Sequence, residues 1–215
     1  MATGRAVISD FGGVLTTPLA AAFARFSDAS GVTLEELGAA MAAVGIARGE
    51  NPLDTLETGR ISEAEFMAAL GAEIGRARGE EVSLAGFGEA LFSGLAPNEP
   101  FLAFMHALRG RGHRMAICTN NVREWSARWR AMIPVDELFD VVIDSSELGV
   151  RKPDPRIYEA TLAALGVAAE SAVFIDDLQI NCEAAAALGM RAVWFQDTDQ
   201  AIADVRAALD GDRAA

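Results

Sequence analysis

The 215-residue chain carries 31 acidic against 18 basic side chains, giving a net charge of −13 and a pI near 4.5. That balance excludes a broad basic face for nucleic acid or anionic membrane, but not a small anionic ligand held by a local positive site. With 51% hydrophobic residues and a mean hydropathy of +0.21, the chain can bury one sizeable core, or one core with a modest insertion, and global disorder is excluded.

The opening stretch MATGRAVISDFGG holds one arginine and a short apolar run that stops at Asp10, so it does not read as a signal peptide. No apolar run approaches the ~20 residues of a membrane span. The two cysteines, Cys118 and Cys182, are too few for a disulfide framework and read as free thiols of a reducing compartment. The expectation is a cytoplasmic protein.

Five short β-rich runs, at 6–9, 115–118, 141–143, 172–175 and 192–195, are apolar on both faces, as strands of a covered parallel sheet are. Helical segments separate the last four. One follows Asn121 and carries Trp125 and Trp129, one follows Asp154 toward Leu165, and one follows Asp177 and closes near Gly189. The alternation predicts a doubly wound α/β fold. Residues 16–96 break it: they are rich in Ala and Glu, with no convincing strand. Two capping boxes, Thr33 with Glu36 and Ser62 with Glu65, start helices there. This segment reads as a helical insertion that leaves after the first strand and returns at the proline-bearing loop 95–100. The core is then 1–15 plus 97–215, and residues 211–215 are expected to fray.

The residues that follow each strand are informative. After the first comes Asp10-Phe11-Gly12-Gly13, after the second Thr119-Asn120-Asn121, after the third and a short loop Lys152, and after the fourth Asp176-Asp177. Open α/β sheets bind ligands outside the carboxyl ends of their strands, so these groups converge on one rim. An exposed strand-end aspartate can act as a nucleophile. Two adjacent carboxylates repel unless a cation relieves them, and Mg2+ suits such a site. Lys152 is the sole lysine of the chain; the other seventeen basic residues are arginine. A compact ammonium can touch a carboxylate and a phosphoryl oxygen at once, which the planar arginine fork does less readily. Trp125 and Trp129 read as packing residues, Arg123, Arg128 and Arg130 as a solvated face, and Cys118 as a small buried residue. His106 and His113 have no metal-ligand spacing.

The motifs SDFGGVL, CTNN, RKPDP and FIDDLQIN, in that order, resemble those of the haloacid dehalogenase superfamily, in the branch with a helical cap after the first strand. ETGRISEAEF, from Glu57 to Phe66, resembles cap sequences of that branch. The resemblance implies a Rossmann-like core, a cap at 16–96, and a Mg2+-dependent phosphatase acting on a small phosphate ester. Asp10 would be the nucleophile and a metal ligand, with the Gly12 carbonyl as a further ligand. Thr119 and the Asn120 backbone would bind phosphate, and Lys152 would steady Asp10. Asp177, with Asp176 beside it, would hold the metal, supported by Asn181. One departure matters: family phosphatases usually carry an acid–base Asp where this chain has Gly12, and such catalysis contributes roughly 10²–10⁴ in rate. Two alternatives follow. One is a metal-independent 2-haloacid dehalogenase, favoured by Gly12 and by Tyr158 six residues after Lys152, but disfavoured by the Asp176-Asp177 pair. The other is a non-catalytic phosphometabolite-binding member. A homodimer through the cap or the Trp-bearing helix is compatible with the sequence.

Overall fold

The computed structural model describes residues 5–210; residues 211–215, expected to fray, lie outside the described residues. Five strands, β1 (Ala6–Ser9), β2 (Arg114–Thr119), β3 (Val141–Asp144), β4 (Ala172–Asp176) and β5 (Arg191–Trp194), form one parallel sheet in the order β3-β2-β1-β4-β5. The chain steps outward from β1 to β2 to β3, then crosses back to β4 and β5. The direction therefore reverses between β1 and β4, and Asp10 and Asp176-Asp177 emerge side by side at that switch.

Period two sorts the strand residues between two cores. Val7, Met115, Ile117, Val173 and Val193 face one way, and Ile8, Ala116, Cys118 and Phe174 face the other. Both sets are buried, which accounts for strands without polar alternation.

Five helices follow β1 before residue 97: α1 (Leu19–Ser30), α2 (Leu34–Arg48), α3 (Pro52–Glu57), α4 (Glu63–Arg78) and α5 (Phe87–Ser93). Both capping boxes form as the sequence predicts, at the starts of α2 and α4. Residues of this segment, with Val122, build a separate hydrophobic cluster around Phe26, Leu56, Phe66, Leu70, Ile74 and Phe87. The segment's two ends run alongside each other. Thr16 bridges Pro97, the Thr17 amide donates to the Ala96 carbonyl at 2.8 Å, and the Asn98 amide donates to the Leu15 carbonyl at 2.9 Å.

Helix α6 (Glu99–Gly110) then leads into β2. The loop expected at 95–100 in fact runs into this helix, because Asn98 caps it and Pro100 tolerates its first turn. Beyond β2, the helix expected to carry both tryptophans is shorter than a full crossover helix. A 3₁₀ turn at Arg123–Trp125 passes into α7 (Ser126–Arg130), and α8 (Val135–Leu138) starts only after Pro134, which breaks continuity. Trp129 is fully buried, and Trp125 packs against both the sheet cluster and the insertion cluster. After β3 come α9 (Ser145–Leu148) and α10 (Pro155–Leu165), and between β4 and β5 lies α11 (Gln179–Ala187). Helices α10 and α11 cover one face of the sheet. Helix α6 and the final α12 (Thr198–Asp210) cover the other. Among the described residues no helix is long and apolar enough to cross a membrane.

Candidate active site

Asp10 extends β1 by one residue, its amide donating to the Ile175 carbonyl at 2.8 Å. The chain then turns sharply at Gly13, where φ is +78° and the amide donates to Thr16 Oγ1 at 3.1 Å. A Cβ on Gly13 would stand 2.5 Å from Asp177 Oδ2, so the glycine admits both the left-handed turn and the neighbouring carboxylate. Leu19 of α1 lies over Gly12, 3.4 Å from where a Cβ would stand.

Lys152 is 1% exposed, and its ammonium bridges two carboxylates, Asp10 Oδ1 at 2.8 Å and Asp176 Oδ2 at 2.7 Å. Burial works against its charge, yet Asp10 and Asp176 hold its pKa well above the ordinary lysine value. Its backbone is fixed by the Asn120 side chain: Asn120 Nδ2 donates to the Lys152 carbonyl at 3.0 Å, and the Lys152 amide donates to Asn120 Oδ1 at 2.8 Å. The sequence assigned Asn120 to phosphate through its backbone; this side-chain pairing, across 32 residues, carried no sequence signal.

One carboxylate oxygen from each of Asp10, Asp176 and Asp177 lies within 4.8 Å of the other two. Three acids thus face one ammonium. Burial, reinforced by Asp176 and Asp177 and opposed by Lys152, raises Asp10 to about 7; burial and Asp176 raise Asp177 to about 6. The two oxygens of Asp176 already have protein partners. Oδ2 takes Lys152, while Oδ1 accepts from the Leu178 amide and from Asn181 Nδ2, both at 2.9 Å. Asp177 is placed differently, with its side chain against Gly13 and its carbonyl accepting from Trp194 Nε1 at 3.0 Å. Thr119 is buried at the end of β2, and its hydroxyl makes just a long 3.5 Å contact to the Asn120 carbonyl.

The insertion reaches this rim at three points. Arg151, next to Lys152, pairs with Asp54 and, at 3.0 Å, with Glu57 of α3. Burial raises Glu57 to about 7 against the opposing pull of Arg151. Ser145 Oγ donates to the Glu57 carbonyl at 2.6 Å and accepts from the Asn121 amide at 3.0 Å. Arg123 is exposed, as the sequence reading of a solvated face expects, and its Nη2 also donates to the Ser146 carbonyl at 2.9 Å beside Gly59. Above Asp10, Thr119, Lys152 and Asp177 lies a cavity of about 200 Å³. In the sequence Arg151 stands out only as part of the RKPDP motif and Trp125 only as a packing residue; their places at this rim depend on where the insertion folds back.

A family model described as haloacid dehalogenase-like hydrolase matches residues 5–189. The chain belongs to this family. A phosphatase from Mycobacterium tuberculosis is 38% identical over 141 residues, covering 64% of this hydrolase and 62% of its own length. A sesquiterpene phosphatase from Aspergillus oryzae is 29% identical over 203 residues, covering 91% and 92%. Acyl-CoA dehydrogenase family member 10 of Mus musculus is 35% identical over 103 residues, 47% of this chain but 9% of that protein. The match thus spans less than two thirds of the length of the first of these curated relatives. Among solved structures, a haloacid dehalogenase family enzyme from Bacteroides thetaiotaomicron superposes with a TM-score of 0.67 at 24% identity, covering 88% of this chain and 92% of its own. A 2-haloacid dehalogenase from Pseudomonas syringae gives 0.67 at 16% identity, covering 98% and 99%. At those identities the two share this hydrolase's fold, a parallel sheet flanked by helices.

Proposed function

We propose that this hydrolase is a Mg2+-dependent phosphatase that moves the phosphoryl group of a small phosphate ester first to Asp10 and then to water. The observation that carries the reading is the bridge from Asp10 through Lys152 to Asp176, with Asp177 alongside, at the sheet's switch point. Named phosphatases among the relatives support it. So does the Bacteroides thetaiotaomicron enzyme, which has been crystallised with magnesium and inorganic phosphate.

The donor set fits Mg2+: hard carboxylate oxygens, close together and in excess over the one ammonium. Asp10 and Asp177 would hold the ion, with the Gly12 carbonyl as a backbone ligand, while Asp176 orients Lys152 and is itself steadied by Asn181. When bound, Mg2+ supplies positive charge against the phosphoryl oxygens and keeps the two carboxylates ionised.

The residues divide the work. Lys152 pins one oxygen of Asp10, leaving Oδ2 to attack phosphorus. The ester P–O bond breaks, its electron pair leaves on the ester oxygen, and that oxygen takes a proton from water. Water's oxygen then adds to phosphorus, the P–Oδ2 bond breaks, and inorganic phosphate departs with Asp10 restored as a carboxylate. The Thr119 hydroxyl and the Asn120 amide hold phosphoryl oxygens, and the Lys152 ammonium offsets charge in both transfers. Gly12 offers no side chain for the proton steps.

Residues 16–96 act as the cap, supplying walls to the cavity and a seam with the lysine loop through Arg151. Two buried free thiols, Cys118 and Cys182, fit a reducing cytoplasmic setting.

The test is p-nitrophenyl phosphate hydrolysis by wild type and Asp10→Asn, each with Mg2+ and with EDTA. Its good leaving group makes little demand for an acid. The expected result is Mg2+-dependent release that Asp10→Asn abolishes. Chloride release from a 2-chloro acid in EDTA would instead make the protein a dehalogenase. Mg2+ and phosphate binding without turnover would make it a binding protein.

A further inference from the structure

The cavity over Asp10 has two unlike ends. At its floor stand Asp10, Thr119, Lys152 and Asp177. Its upper walls include Leu19 and Phe23, one turn apart on α1, Leu91 and Phe92 on α5, Leu95, and Trp125 from the core. Phe92 meets Trp125 edge-on at 5.6 Å, so the cap and core walls are already fastened together.

The side-chain amides of this lining are engaged with the protein, while the buried Trp125 Nε1 has no hydrogen-bond partner among the described residues and the Thr119 hydroxyl makes a long 3.5 Å contact. Asn120 is engaged with the Lys152 backbone and Asn181 with Asp176, while Asn121 Oδ1 accepts from the Val122 amide at 2.9 Å. Among the described residues, the charged groups lining the cavity are Asp10, Lys152 and Asp177, all on its floor. No arginine of the insertion lines it, and Arg60, Arg76 and Arg78 are paired elsewhere, with Glu50, Glu73 and Glu36. A second phosphate or a carboxylate on the substrate would meet no cation. A polyol hydroxyl set against Leu19, Phe23, Leu91, Phe92 or Leu95 would be desolvated without a partner from those side chains, a costly state.

Building on the phosphatase reading, we propose that the substrate is the phosphate monoester of a small apolar alcohol, whose hydrocarbon lodges against Leu19, Phe23, Leu91, Phe92, Leu95 and Trp125. The size of the site limits that group. About 200 Å³ is below the roughly 300–1,000 Å³ of ordinary ligand pockets, so a short chain or a single ring fills it. Leu19 over Gly12 keeps the apolar wall continuous down to the scissile bond. The alcohol leaves by P–O cleavage and takes its proton from water, as the two-step transfer requires.

The experiment measures kcat/KM for wild type with Mg2+ on straight-chain alkyl phosphates of increasing length. Glycerol 1-phosphate and glucose 6-phosphate serve as polar esters that also release a primary alcohol. The expected rise is about fourfold per methylene, the equivalent of ~0.8 kcal/mol each, ending once the cavity is full. The two polyol phosphates should fall below propyl phosphate. Leu95→Arg, with its fold checked by circular dichroism and by the Mg2+-induced rise in melting temperature, is expected to flatten the chain-length slope. Intact p-nitrophenyl phosphate turnover with a flat wild-type slope, or with polyol phosphates preferred, would overturn this proposal alone. No turnover of p-nitrophenyl phosphate would overturn the phosphatase reading and this proposal with it.

Discussion

At Lys152 the requirement is for one compact charge in a closed space. The side chain is 1% exposed, lies beside Phe174 and Tyr158, and touches Asp10 and Asp176 at once. An arginine there keeps the charge but forces a planar fork into packed surroundings and replaces one bridging nitrogen with three. Lys152→Arg is therefore expected to lower kcat on p-nitrophenyl phosphate by about 10²–10³ at saturating Mg2+, with the far-ultraviolet circular dichroism retained. A loss below fivefold would show that charge alone suffices. The placement of Lys152, like that of Asp10, Thr119 and Asp177, was legible because each follows a recognisable strand. What Asn120 does with its side chain was not legible, since that depends on two loops meeting across 32 residues of chain.

Among the elements, the strands and the two capped helices could be read from sequence because their signals are local: apolar runs for the first, a hydroxyl three residues before a Glu for the second. The short helices around Trp125 and Trp129 could not, because a four-residue spacing suggests one helix, whereas the chain passes from a 3₁₀ turn into α7 at Ser126 and leaves α7 at Ala131. The seam between insertion and core was equally hidden. It closes at Gly59, which links α3 to α4 with φ at +66°. A Cβ there would collide with the Arg123 guanidinium and stand 2.6 Å from the Ser146 carbonyl. Gly59→Ala should thus push this turn off the core and loosen α3, which carries Asp54 and Glu57, the partners of Arg151. The left-handed conformation alone costs an alanine roughly 1–2 kcal/mol, and the collision adds to it. The expected outcome is a lower melting temperature together with amide exchange in residues 52–57 at least tenfold faster. Unchanged exchange in that helix would show that the turn does not clamp it.

For the molecule as a whole, the buried acids make stability depend on pH and on the metal together. Asp10 and Glu57 are raised to about 7 and Asp177 to about 6, against values near 4 in an unfolded chain. An acid whose folded pKa is raised holds a proton that the unfolded chain has already released. The metal-free protein therefore loses stability as pH climbs from about 4 through about 7. It should melt higher at pH 5.5 than at pH 8 in EDTA. Mg2+ reverses part of this, since it binds the ionised carboxylates. At a hundred times its Kd it is expected to raise the melting temperature by roughly 5–10 °C at pH 8, and by clearly less at pH 5.5. The net charge of −13 acts in the same direction, because acidification also relieves repulsion across the surface. Salt separates the two contributions: at 0.5 M NaCl the surface charges are screened beyond a few ångströms, whereas the buried cluster is screened far less. A pH slope that persists in high salt, and that Asp177→Asn reduces along with the response to Mg2+, assigns the effect to the site. A slope abolished by salt would assign it to the surface and leave the three acids without the role argued for them.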